Sequence, residues 1–173
     1  MLQPLIDLFN TLWESFKPFY IINQYEAGIR LRLGKYHSTL KPGLHYQLPF
    51  LDNIITTTVV ATTINLPSQS LTTKDEKSIV VRGMIKYQIG DVKTFLLDVF
   101  DATDALTDLS MAAIKQSVME KDWSEVKNND MDNIITIKGR REAKKWGIDV
   151  MQITLTDIGQ IRSFKLFNDT TQS

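Results

Sequence analysis

Two histidines, His37 and His45, stand on either side of Lys41-Pro42-Gly43. Such a pair could ligate a metal, but a site needs further donors and no third ligand is evident. Positions on surface strands account for both. Asp98, Asp101, Asp104 and Asp108 form an acidic series that lacks the central Gly and final Glu of a calcium loop. Helix capping and favourable charge near a helix N-terminus explain it better. Lys138 to Lys145, KGRREAKK, is a basic cluster whose charges spread around a helix instead of forming a stripe. That pattern suits a solvated face more than a nucleic-acid or lipid contact. Phosphate-binding GxxxxGK[ST] and nucleophile-elbow GxSxG motifs are absent, and the eight glycines are dispersed. No nucleophile, base and orienting group can be read together. The expectation is a protein that is not an enzyme and uses no cofactor.

The totals agree. At 173 residues, 43% apolar and 23% charged, the chain is expected to be globular, with one main domain. Lys plus Arg equals Asp plus Glu at 20 each, which argues against a nucleic-acid partner. Cysteine is absent, so disulfides, thiolate metal sites and Cys nucleophiles are excluded. No cleaved signal peptide is expected, because no basic n-region precedes an apolar run. No membrane-spanning helix is expected either, since Asp7, Asn10, Glu14 and Lys17 interrupt the first apolar segment.

Strands are expected first. Around residues 19–36 the pattern reads as two extended runs with a break near Glu26-Ala27-Gly28. In it Ile29, Leu31 and Leu33 point inward, and Arg30 and Arg32 point to water. Lys41-Pro42-Gly43 reads as a turn, and residues 44–50 continue as a strand. The β-branched run from Asn53 to Pro67 reads as another strand. A polar turn at Thr73-Lys74-Asp75 leads into a strand from about Lys77 to Ile89. Asp91 is placed to cap a short helix through Leu97, and Asp101 a longer one. The apolar side of that longer helix is Ala105, Leu106, Leu109, Ala112, Ala113 and Val118. A further helix runs from about Asp130 to Trp146, with Met131, Ile135, Gly139, Ala143 and Trp146 on one stripe. Gly and Ala on that stripe would allow close approach to a sheet. Gly147 is placed as its C-terminal cap, and residues 148–158 form the last strand. Strands, then helices, then a strand imply an α+β fold.

Residues 1–18, MLQPLIDLFNTLWESFKP, have helical periodicity. Leu5, Leu8, Phe9, Leu12, Trp13 and Phe16 share one side. Pro4 suits a first turn and Pro18 a stop. Such a helix could lie in the plane of a membrane interface or dock on its own domain's core. Its polar face carries few cations, so anionic lipid would add little to its attraction.

A family resemblance favours the membrane. Tyr25-Glu26-Ala27-Gly28, Arg32-Leu33-Gly34-Lys35, Lys41-Pro42-Gly43-Leu44-His45 and Leu48-Pro49-Phe50 resemble blocks of the stomatin, prohibitin and flotillin superfamily (the SPFH or band 7 domain). The stomatin-like members are the nearest in pattern. LTTKDEKSIVVRGMIKYQI (71–89), AIKQSVMEKDWSEV (113–126) and AKKWGIDVMQITLTDI (143–158) are similar to later blocks of the same domain, in the same order. The resemblance implies an SPFH domain over residues 19–158, preceded by a membrane-associating helix at 1–18 and followed by a short tail at 159–173. It implies a non-enzymatic, peripheral membrane scaffold that contacts lipid through Leu5, Leu8, Phe9, Leu12, Trp13 and Phe16. It further implies self-association into homo-oligomers and modulation of membrane proteins, including membrane-bound AAA proteases. Because residues 159–173 do not read as the Ala- and Glu-rich assembly helix of family members, a short form is expected. A second expectation follows: the chain joins or caps rings of full-length relatives and alters a membrane protease complex.

Overall fold

In a computed structural model, residues 18–128 and 130–161 are described. Leu5, Leu8, Phe9, Leu12, Trp13 and Phe16 lie outside the described residues, as does the tail after Ile161. The elements divide between two units. The first holds residues 1–62, 87–102 and 143–149, and the second holds 63–86, 103–142 and 150–173. Antiparallel sheets with packed helices make the fold α+β, as expected.

In the first unit β1 (Phe19–Ile22) pairs with β4 (Gly43–Tyr46), and β2 (Glu26–Arg32) lies between β3 (Lys35–Leu40) and β5 (Asp52–Thr58). Ile29, at the centre of β2, is fully buried. Helix α1 (Val92–Leu97) packs against β2. Asp91 caps it as expected, its carboxylate accepting from the Lys93 and Thr94 N–H groups at 3.0 and 3.3 Å.

Four sequence expectations need correction here, three through a local hydrogen bond and one through a slip in strand register. The first break falls at Asn23–Tyr25, earlier than Glu26-Ala27-Gly28, because the Glu26 carboxylate accepts from Asn23 N and Nδ2 at 3.2 and 2.8 Å and closes the turn there. The inward alternation fails after Ile29. Pairing with β3 slips between Arg30 and Leu31, and Leu33 leaves the strand with φ 51° and becomes exposed. The strand expected over 44–50 stops at Tyr46, where Gln47 Nε2 and Leu48 N turn back to donate to Asp52 at 3.0 and 3.1 Å. The run from Asn53 to Pro67 divides into β5 and β6 (Thr62–Asn65). Val59 N–H bonds Tyr25 O at 3.0 Å, and Thr62 Oγ1 donates to Val60 O at 3.2 Å.

The second unit is built around β8 (Ser78–Ile89), which pairs with β6, β7 (Gln69–Thr72) and β9 (Ile148–Gln160). β8 and β9 give residues to both units. β8 has a period of two: Ile79, Val81, Ile85 and Tyr87 are buried, and Arg82, Lys86 and Gln88 are exposed. The helices are α2 (Ala102–Met119), α3 (Trp123–Val126) and α4 (Asp130–Ala143), and a 3-10 turn, Lys144–Trp146, follows. On α2, Leu106, Ala113 and Val118 are buried as expected. Ala112 is exposed, while Ser110 and Ser117 take buried positions. Ser110 remains satisfied there by donating to Leu106 O at 2.7 Å. On α4, Met131, Ile135, Gly139 and Ala143 are buried. A Cβ at Gly139 would stand 2.6 Å from Ile153 Cδ1, so this glycine does permit the close approach. Gly147 ends the segment with φ 74°.

α4 also closes the edge of β9. Thr136 Oγ1 accepts from Ile153 N at 2.9 Å and donates to Ile153 O at 3.2 Å. Arg140 donates to Val150 O and Met151 O at 2.9 and 3.1 Å, and Asp132 accepts from Leu155 N at 3.0 Å. Side chains four apart on one helix face thus stand in for a neighbouring strand and block edge pairing over Val150–Leu155. The Thr73-Lys74-Asp75 turn is tied down similarly. Asp75 accepts from Thr73 Oγ1 at 2.6 Å and from Trp123 N at 3.0 Å, and pairs with Lys77 Nζ at 2.8 Å.

Candidate membrane interface

The β1–β4 ribbon of the first unit has an inverted face. Cross-strand partners share a side, and residues two apart share a side. Phe19 opposes Tyr46 and Ile21 opposes Leu44, so these four side chains lie together. All four are more than half exposed. The Phe19 and Tyr46 rings meet edge to face, 6.0 Å apart. Ile22, on the other side, is buried. A ribbon with its aromatic and aliphatic residues turned outward is the arrangement expected of a contact surface.

The ribbon begins where residues 1–17 join the described structure. Pro18 O accepts from Gln47 N at 2.7 Å, which fixes the entry of the chain beside the end of β4. The loop after β4 then raises Phe50, which is 88% exposed at φ 68°. Leu33 N donates to Leu51 O at 2.8 Å, bringing the β2–β3 turn alongside. Leu33 and Leu51 are themselves exposed.

Asp52 holds this end together. Its carboxylate accepts from Arg32 Nε and Nη2 at 2.7 and 3.1 Å and from Leu48 N at 3.1 Å, with Arg30 Nε 3.9 Å away. Arg30 Nη2 donates to Tyr46 O at 2.7 Å. The Arg32 bonds, helped by the Leu48 N–H, lower the Asp52 carboxyl to about 2. Arg30 and Arg32 are therefore not simply the wet side of a strand. They fasten β2 to the β4–β5 loop.

The other residues singled out from sequence do not converge. His37 is exposed on β3, and His45 on β4 has Nε2 2.6 Å from Lys41 O. Among the described residues no three His, Asp or Glu side chains gather closely enough to hold a metal. Asp98 ends α1, whereas Asp104 sits in the first turn of α2. The Lys138–Lys145 cluster is divided among separate tasks: Lys138 pairs with Glu120 at 2.8 Å, and Arg140 serves β9. Sequence reading missed the exposed ribbon face. Its only signal there was the apolar alternation of Phe19, Ile21, Leu44 and Tyr46, which looks the same whether that side is buried or bare.

Both the fold and the order of its motifs are those of an SPFH protein. The SPFH domain / Band 7 family matches residues 20–162, and the chain belongs to that family. An uncharacterized protein of Methanocaldococcus jannaschii is 28% identical over 145 residues, covering 82% of this chain and 72% of its own length. Protein HflK of Vibrio cholerae is 32% identical over 130 residues, covering 75% of this chain and 31% of its own. Mouse stomatin is 23% identical over 152 residues, covering 86% of this chain and 52% of its own. The chain thus spans about half of stomatin and under a third of HflK. Among the described residues no helix is long and apolar enough to cross a membrane.

Proposed function

We propose that this chain is a membrane-associated SPFH scaffold, acting by binding and organising rather than by turnover. It attaches peripherally, gathers copies of itself or SPFH relatives along the bilayer, and modulates neighbouring membrane proteins such as a membrane-bound protease. The observation that carries this reading is the apolar outer face of β1 and β4, set where an amphipathic N-terminal sequence enters the domain. Leu5, Leu8, Phe9, Leu12, Trp13 and Phe16 supply the first lipid contact.

The test is co-sedimentation of the full chain with vesicles, beside a variant carrying Leu8→Glu, Leu12→Glu and Phe16→Glu. The parent pellets with vesicles, and the variant loses binding by roughly tenfold or more. A parent that stays in the supernatant while fully folded overturns the reading.

A further inference from the structure

The end of the first unit has a tip made by two turns. Leu33 and Phe50 stand at their apices at φ 51° and 68°, a left-handed region that L-residues with bulky side chains avoid. Either position would accept Asn or Gly more easily. Both instead carry large apolar side chains that touch little: Leu33 is 74% exposed and Phe50 88%. Core packing does not explain these residues, because they are not in the core.

Charge around the tip is one-sided. Between residues 27 and 74 Asp52 is the single carboxylate, and it is engaged by Arg32 and approached by Arg30. Arg30, Arg32 and Lys35 against Asp52 leave the tip cationic. Lys35 is exposed and lies opposite Arg32 in the ladder, next to the Leu33 turn. The tip also lies at the entry of the N-terminal segment, since Pro18 is bonded to Gln47 of the loop that carries Phe50.

We propose that this tip is a second lipid contact, selective for anionic headgroups and separate from residues 1–17. Leu33, Phe50 and Leu51 enter the headgroup layer, and the exposed Lys35 meets lipid phosphate. The proposal rests on the membrane reading above. A bilayer is the occupant that suits it, because bare apolar side chains at two turn apices, beside the exposed Lys35 and on an end of net positive charge, match an anionic headgroup boundary. It also gives anionic lipid a role that the cation-poor N-terminal segment does not provide.

Flotation of the full chain with phosphatidylcholine vesicles, with and without phosphatidylglycerol, tests this. The double variant Leu33→Asn/Phe50→Asn should melt at or above the parent's temperature, because Asn accepts left-handed backbone. It should nonetheless bind phosphatidylglycerol vesicles roughly tenfold more weakly. Lys35→Glu should reduce the preference for phosphatidylglycerol about fivefold or more. An environment-sensitive fluorophore on Phe50→Cys, the sole thiol in a chain without cysteine, should shift to the blue on adding these vesicles. A parent that floats while the double variant floats equally well and the probe stays silent overturns the tip contact and leaves residues 1–17 as the anchor. A parent that floats with neither vesicle overturns the tip and the membrane reading together.

Discussion

Asp52 and Asp75 each draw several donors, and both carboxyls are held below the usual range by them. For Asp52 the main cause is the Arg32 bond, and for Asp75 it is the Lys77 bond. A carboxyl lowered on folding binds its proton more readily when unfolded, so stability falls as pH falls. The contribution is present above the unfolded value of about 4. For Asp52 it is lost as pH drops towards about 2. Acid titration of the melting temperature should therefore show a decline over that interval, and Asp52→Asn should lower the neutral-pH melting temperature and flatten the decline. An unchanged acid profile in that variant would separate Asp52 from acid stability. None of this was legible in the sequence. Asp52 belongs to no motif and stands just before the β-branched run that begins at Asn53, and its partners Arg30 and Arg32 looked like a solvent face. What assigns them is the antiparallel register that sets Arg32 opposite Asp52.

At the scale of elements, the periods of two and near four were enough to place β8, β9, α2 and α4, because each has one face against a core, and the Asp91 cap was enough to place α1. The strand ends were not readable, because side chains outside the strand set them: Glu26 for the first turn, Asp52 for the end of β4. The role of α4 in closing β9 was equally hidden, since Asp132, Thr136 and Arg140 look like ordinary helix surface. Replacing Thr136 by Val keeps the shape but strands both Ile153 backbone groups. It should cost about 1–3 kcal/mol in denaturant unfolding and speed amide exchange at Ile153. Gly147→Ala should cost a similar amount, about 1–3 kcal/mol, because φ is 74° there and the added Cβ would collide with Asp91 O. Equal stability in either variant would refute the corresponding role.

At the scale of the molecule, the family was readable because several modest blocks occur in the right order, and the match over residues 20–162 bears this out. The candidate interface was readable only in part. The amphipathic sequence at 1–18 suggested a membrane, but the bare ribbon face depends on which side of β1 and β4 the rest of the unit covers. That is decided by residues distant in sequence. If the chain is a scaffold, copies should gather on the bilayer. Amine cross-linking on vesicles should then give a ladder of oligomers that is weaker at equal concentration without vesicles. The measurement that bears most directly on the central claim is flotation of the full, folded chain through a density gradient with vesicles containing phosphatidylglycerol. Recovery of the chain in the vesicle fraction is the predicted result. Retention at the bottom of the gradient, with an intact circular dichroism spectrum, would contradict it.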